Sequence, residues 1–118
     1  MPSLLVSHGS KAMEQMKWSG AEKKAARQVF DAALQAELSE MLSEFRARAA
    51  RAMTPEDMWA IADRLVVQRR EIELKYDYRY SQLLFVFGRL VREKRIQEAE
   101  LKGLSEEKLS FIHRIASL

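Results

Sequence analysis

This chain has no cysteine, and only four glycines, two prolines and two histidines among its 118 residues. Without cysteine there is no disulfide, no thiolate metal site and no cysteine nucleophile, and a reducing cytoplasm is the natural compartment. The scarcity of glycine and proline leaves little material for turns or a disordered tract. His8 and His113 stand at opposite ends of the chain, and neither has a second ligand at metal spacing. Glu93, Glu98 and Glu100 complete no Glu-x-x-His pair, so a di-iron bundle is not expected. No glycine-rich phosphate loop occurs, and no serine sits in a nucleophile-elbow context. Long apolar runs are missing too. Leu83–Phe87 is five residues, where a membrane span needs roughly 20. No catalytic constellation can be assembled, and neither a metal nor a cofactor is expected in this chain.

Charge of one sign is also lacking. The net charge is +3 and the isoelectric point about 9.3, but acids and bases alternate almost everywhere. Arg89, Arg92, Lys94 and Arg95 form the most basic cluster, diluted by Glu93, Glu98 and Glu100. That pattern is a solvated helix surface rather than a nucleic-acid footprint.

What the chain does have is helical periodicity. It is 47% apolar and 31% charged, as an ordered helical protein should be. Ser19-Gly20-Ala21-Glu22 fits a capping box, and Phe30, Leu34, Leu38, Met41 and Phe45 recur at helical spacing to about Ala50. Such a helix is about 45 Å long, too long for so small a chain to cover, so part of its stripe is expected to meet another subunit. Thr54-Pro55-Glu56-Asp57 is a second start signal, with a capping threonine and proline in the first turn. The stripe that follows is Met58, Ile61, Leu65, Ile72 and Tyr76, with Arg69 where an apolar residue is expected. Arg69 either snorkels to water or is a paired guanidinium at an interface. Tyr76–Tyr80 reads as a polar, tyrosine-studded turn of helix. Leu83–Phe87 alone would pass for a strand, but no partner strand exists, and Leu83, Phe87, Leu90 and Val91 share a helical face. Gly103 looks like a helix stop, and Ser105-Glu106-Glu107 opens a final helix containing Leu109, Ile112 and Ile115. The expected fold is all-α and elongated, with two long helices and two shorter C-terminal ones, homodimeric. Residues 1–17 are expected to be a flexible tail. Residues 18–118 are expected to form a single helical domain.

Recognition is the remaining role. Tyr76, Tyr78 and Tyr80 alternate with Asp77 and Arg79, offering large amphipathic rings to a protein partner. Tyr76 lies on the apolar stripe and is consistent with simple packing, whereas at least one of Tyr78 and Tyr80 must face outward. Phe85 sits off the Leu83–Phe87–Leu90 face, so it is a second core face or an exposed anchor. Asp63 and Arg69 are roughly 120° apart around one helix and cannot pair comfortably within it. If two copies cross antiparallel about a two-fold axis, Asp63 of one meets Arg69 of the other, twice, with Trp59 as the apolar anchor.

Trp18-Ser19…Glu22, Asp57-Met58-Trp59, Asp63, Arg69, Glu71-Ile72, Lys75-Tyr76-Asp77-Tyr78-Arg79-Tyr80-Ser81 and Phe85-Val86-Phe87 together resemble the fluorescence recovery protein family of cyanobacteria. Glu100-Leu101…Gly103-Leu104 is similar as well, and the likeness covers about Lys17 to Ser117. The resemblance implies an elongated all-helical homodimer without enzymatic activity, with a stalk at about 19–76 and a head at about 77–118. It implies a protein partner, the photoactivated red form of the orange carotenoid protein, bound chiefly through its C-terminal domain. Return of that partner to its orange form and its release from the phycobilisome would end quenching, in the cytoplasm near the thylakoid surface. Trp59, Asp63 and Arg69 match family positions at the dimer interface, and Phe85 matches a partner-contact position. Tyr78, Arg79 and Tyr80 are the further candidates for partner binding. Ala62 stands where the family commonly has histidine, Arg92-Glu93-Lys94-Arg95 replaces an acid-glycine turn, and Phe111 stands where some members carry lysine. An adaptor of this family with a different, non-carotenoid client is the alternative reading. A small nucleic-acid-associated dimer using Arg89–Arg95 is a third.

Overall fold

The computed structural model describes residues 16–118. Residues 1–15 of the segment expected to be a tail, His8 among them, lie outside the described residues. Among the described residues, four α-helices and one 3-10 helix follow in order: α1 (Gly20–Arg51), α2 (Pro55–Lys75), α3 (Tyr80–Arg92), the 3-10 helix (Glu98–Leu101) and α4 (Glu106–Ala116). No strand occurs among the described residues, and the expected all-α architecture, two long helices then two shorter ones, is what the chain adopts.

The starts of α1, α2 and α4 are where the sequence signals put them. Ser19 N–H donates to Glu22 Oε1 at 3.0 Å and Glu22 N–H to Ser19 Oγ at 3.1 Å, completing the box that opens α1. At α2, Asp57 N–H donates to Thr54 Oγ1 at 3.1 Å while Asp57 Oδ2 accepts from Met53 N–H and Thr54 N–H. Those two backbone donors hold the Asp57 carboxyl below its ordinary range. Ser105 Oγ caps α4 by accepting from Lys108 N–H at 3.3 Å.

The ends are less regular. α2 stops at Lys75, and Tyr76–Arg79 is not helical, so the expected tyrosine-bearing turn of helix is instead an irregular connector. Tyr76 causes the break. Its ring is buried edge-on against Phe30 at 5.4 Å and its hydroxyl donates to Glu37 at 2.7 Å. The backbone turns to φ −94°, ψ 71° there. α3 ends in a Schellman motif: Lys94 adopts φ 61°, Lys94 N–H donates to Val91 O and Arg95 N–H to Leu90 O, both at 2.9 Å. A lysine thus occupies a left-handed position that glycine fills at least cost. Gly103 follows the 3-10 helix rather than a long helix, and its role is space: a Cβ there would lie 2.9 Å from Ala25 Cβ.

The chain divides into two compact units. The first comprises the described residues up to Val29 together with Tyr78–Leu118. Its core is Leu83, Leu84, Phe87, Leu90, Leu101 and Ile112, all fully buried, each contributing about 1.5–3 kcal/mol of burial. α3 and α4 come together at Gly88, where a Cβ would overlap Ile115. An ion pair ties the start of α1 to the start of α4. Glu22 Oε2 accepts from Lys108 Nζ at 3.0 Å and from Ser105 N–H at 2.9 Å, and Lys108 Nζ also donates to Lys17 O at 2.6 Å. Both side chains are nearly enclosed, at 4% and 12% exposure. The second unit, residues 30–77, is an antiparallel helical hairpin. Phe30 meets Tyr76, Glu37 meets Lys75 at 2.8 Å, and Glu44 meets Arg64 at 2.6 Å. Its own buried interior is thin, reduced to Phe30, Ala33, Tyr76 and the aliphatic stem of Lys75.

Two outcomes follow. Gly88→Ala should cost about 1–3 kcal/mol through overpacking of α3 on α4, read as a lowered midpoint in urea; an unchanged midpoint would contradict the described closeness. The Glu22 carboxyl is held at about 2, against an ordinary 4.5, chiefly by the Ser19 N–H, then by Ser105 and Lys108. Its pKa is lowered on folding, so its contribution is complete above pH 4.5 and is lost as pH falls towards 2. Glu22→Gln should lower Tm at pH 7 by the equivalent of about 2–3 kcal/mol and flatten its decline between pH 4.5 and 2.5.

Candidate interaction surfaces

Two surfaces carry the candidate residues, one in each unit. In the hairpin, α2 turns large apolar side chains away from α1: Trp59 is 63% exposed, Val66 69%, Val67 56% and Leu74 73%. Met58 joins them, and α1 adds Leu38, Leu42 and Phe45. A single exposed leucine is ordinary; a helix of 21 residues with these five apolar groups in water and only Lys75 buried is not. Asp63 and Arg69 both lie on the exposed side. Arg69 Nε donates to Glu73 Oε1 at 2.9 Å within the helix, with the two side chains 83% and 63% exposed. Asp63 makes no ion pair among the described residues. The helix therefore presents an exposed acid with no ion-pair partner among the described residues, together with an exposed base and an exposed apolar ring. Val66, Val67, Leu74 and Leu42 extend this surface beyond the residues singled out from spacing. Their signal was present as apolar positions off the main stripe, which gives α2 apolar residues on more than one face.

In the first unit, the aromatic residues form a ladder. Arg27 stacks on Tyr78 at 4.3 Å, Tyr78 meets Tyr80 at 5.8 Å, Tyr80 meets Trp18 at 5.2 Å, and Lys108 Nζ lies 4.9 Å from the Trp18 ring. Lys23 adds a second cation over Tyr80 at 5.6 Å. The ring faces are thus largely engaged by the unit itself, with Tyr80 still 38% exposed and Arg79 exposed at the start of α3. Phe85 is 40% exposed and packs edge-on against Phe111 at 5.2 Å. The structure therefore brings Tyr78 and Tyr80 into one cluster and pairs Phe85 with Phe111, a contact that no sequence spacing announces.

Several of the remaining charged groups are paired locally. Arg89 Nε pairs with Glu93 at 2.8 Å and Arg95 approaches the same carboxylate at 3.8 Å. His113 Nδ1 lies 2.8 Å from Glu98 Oε1 beside an open groove of about 810 Å³ lined by Leu101, Leu109 and Ile112. No group of three metal-ligating side chains occurs among the described residues. Among the described residues, no helix is long and apolar enough to cross a membrane.

Residues 18–116 match the protein family described as photoprotection regulator fluorescence recovery protein. The chain belongs to this family. It is 39% identical over 101 residues to the fluorescence recovery protein of Synechocystis sp., covering 86% of this chain and 93% of that relative. Among solved structures, that of the Fremyella diplosiphon fluorescence recovery protein matches with a TM-score of 0.81 at 34% identity, over 86% of this chain and all of that one. The structure of the fluorescence recovery protein from Synechocystis sp. PCC 6803 matches with the same TM-score at 38% identity, again over 86% of this chain and all of the other. As a member of the fluorescence recovery protein family, the chain is a photoprotection regulator.

The two surfaces should respond differently to truncation. Tyr78→Ala removes the ring between Arg27 and Tyr80 and should lower stability by about 1–2 kcal/mol, with altered Trp18 emission. Arg69→Ala removes only an exposed pair and should shift a dilute sample by less than about 0.5 kcal/mol in thermal unfolding. The reverse order of effects would show that the structural and the recognition roles have been exchanged.

Proposed function

We propose that this chain is a non-enzymatic, homodimeric regulator that speeds return of the photoactivated red orange carotenoid protein to its orange form and so ends phycobilisome quenching. Membership of a photoprotection regulator family supports the class of activity. The observation that carries the dimer is the uncovered face of α2, from Trp59 to Leu74. Two copies of α2 crossing antiparallel pair Asp63 with Arg69 of the second copy. This register places Val66, their midpoint, against its own symmetry mate and Trp59 opposite Glu73. Burying Val66 and Trp59 supplies the apolar gain, and the charge pairs fix the register. In that assembly Arg69 exchanges Glu73 for an inter-subunit acid.

Regulation is differential binding. A protein that holds the separated domains of its partner in an arrangement competent to close lowers the barrier to reassociation without chemistry. The chain contributes Phe85 as an apolar anchor, with Tyr78, Arg79 and Tyr80 as flanking contacts to the partner's C-terminal domain. The carotenoid belongs to the partner, and this chain needs no cofactor. The place of action is the cytoplasm beside the phycobilisome.

Asp63→Arg or Arg69→Asp alone should dissociate the dimer, shifting the association midpoint about tenfold or more, and the double reversal should restore it. Failure of that rescue, in folded variants, removes the pairing. Dark relaxation of photoactivated orange carotenoid protein with substoichiometric chain tests the activity. Acceleration supports the regulator; a folded dimer that neither binds nor accelerates leaves a family scaffold serving another client.

A further inference from the structure

Phe85 and Phe111 are on different helices and share one ring contact, 5.2 Å between centroids and 86° between planes. Phe85 remains 40% exposed in that arrangement, so the pair is a surface feature and not a piece of core. The guanidinium of Arg114 lies 5.6 Å from the Phe111 ring. Arg92 Nη1 reaches Ile115 O at 3.5 Å, which brings a second guanidinium to the same end of α4. Neither Arg92 nor Arg114 has an ion-pair partner among the described residues, whereas Arg89 is held by Glu93 at 2.8 Å. The result is an exposed two-ring platform bordered by two uncompensated cations.

We infer that Phe85 and Phe111 act as one anchor, and that they fit a protein surface with an apolar recess bordered by carboxylates that receive Arg92 and Arg114. The inference rests on the regulator reading above and adds the chemistry of the partner's docking face. Two edge-on rings insert as a rigid unit at low conformational cost, which is how aromatic residues dominate interface energetics. The weakly hydrated guanidiniums provide planar, directional contacts to carboxylates at the rim and steer encounter by charge. Because each ring sets the pose of the other, loss of either should remove most of the binding that both supply.

The test is a double-mutant cycle, with photoactivated orange carotenoid protein as the probe and both affinity and relaxation rate as readouts. Phe85→Ala and Phe111→Ala should each weaken binding about tenfold or more, and the double variant should lose little beyond either single change. Arg92→Gln and Arg114→Gln change exposed groups and should leave the fold intact. They should reduce the salt dependence of the association rate several-fold while the helical signal is unchanged. Acceleration retained at the original rate and affinity in Phe111→Ala, or a salt dependence unmoved by the arginine variants, overturns the two-ring anchor while leaving the regulator standing. A folded, unmodified chain that does not accelerate relaxation overturns both.

Discussion

The constraint on which the rest of this structure depends is apolar surface that the chain cannot bury by itself. The hairpin of α1 and α2 is joined by Phe30 on Tyr76 and by the polar contacts Glu37–Lys75 and Glu44–Arg64. That leaves Trp59, Val66, Val67 and Leu74 facing water. Burying one such side chain is worth about 1.5–3 kcal/mol, and a whole domain is stable by only about 5–15 kcal/mol. A second copy laid across α2, as proposed, would supply an interior that the hairpin lacks. The proposed dimer is in this sense the completion of a core, with Asp63 and Arg69 setting register.

The other unit solves the same problem within the chain. Its core of leucine, isoleucine and phenylalanine is closed by small residues at the two tightest approaches, Gly88 against Ile115 and Gly103 against Ala25. Glu22 then clamps the starts of α1 and α4 through Lys108 and the Ser105 amide. A carboxylate used this way is held ionised far below its ordinary range. The aromatic ladder from Arg27 to Lys108 adds stacking on the same side. A well-ordered unit of this kind can present Phe85 in a fixed pose, which lowers the entropic cost of docking.

Much of the fold was legible because helix starts are local. Ser19, Thr54 and Ser105 cap through atoms within three residues, and the spacing of acids and apolar groups announces them. Helix ends were harder. The break after Lys75 has no glycine or proline; it is made by the long-range burial of Tyr76 against Phe30 and Glu37. The left-handed turn at Lys94 likewise lacks the glycine that would mark it. Glu22 and Lys108 are 86 residues apart, and no periodicity connects them. For the surfaces, the Asp63–Arg69 spacing and the off-face position of Phe85 were visible. The engagement of Tyr78 by Arg27, and of Phe85 by Phe111, required coordinates.

Amide hydrogen exchange along α2, followed as the protein is diluted, tests the central account most directly. If a second copy completes the hairpin, amides from Ile61 to Arg70 should be protected in concentrated samples and lose protection on dilution into the monomer. Amides of α3 should stay protected throughout, because their core lies within the chain. Equal and concentration-independent protection of α2, in samples whose mass is that of a monomer, would contradict the account.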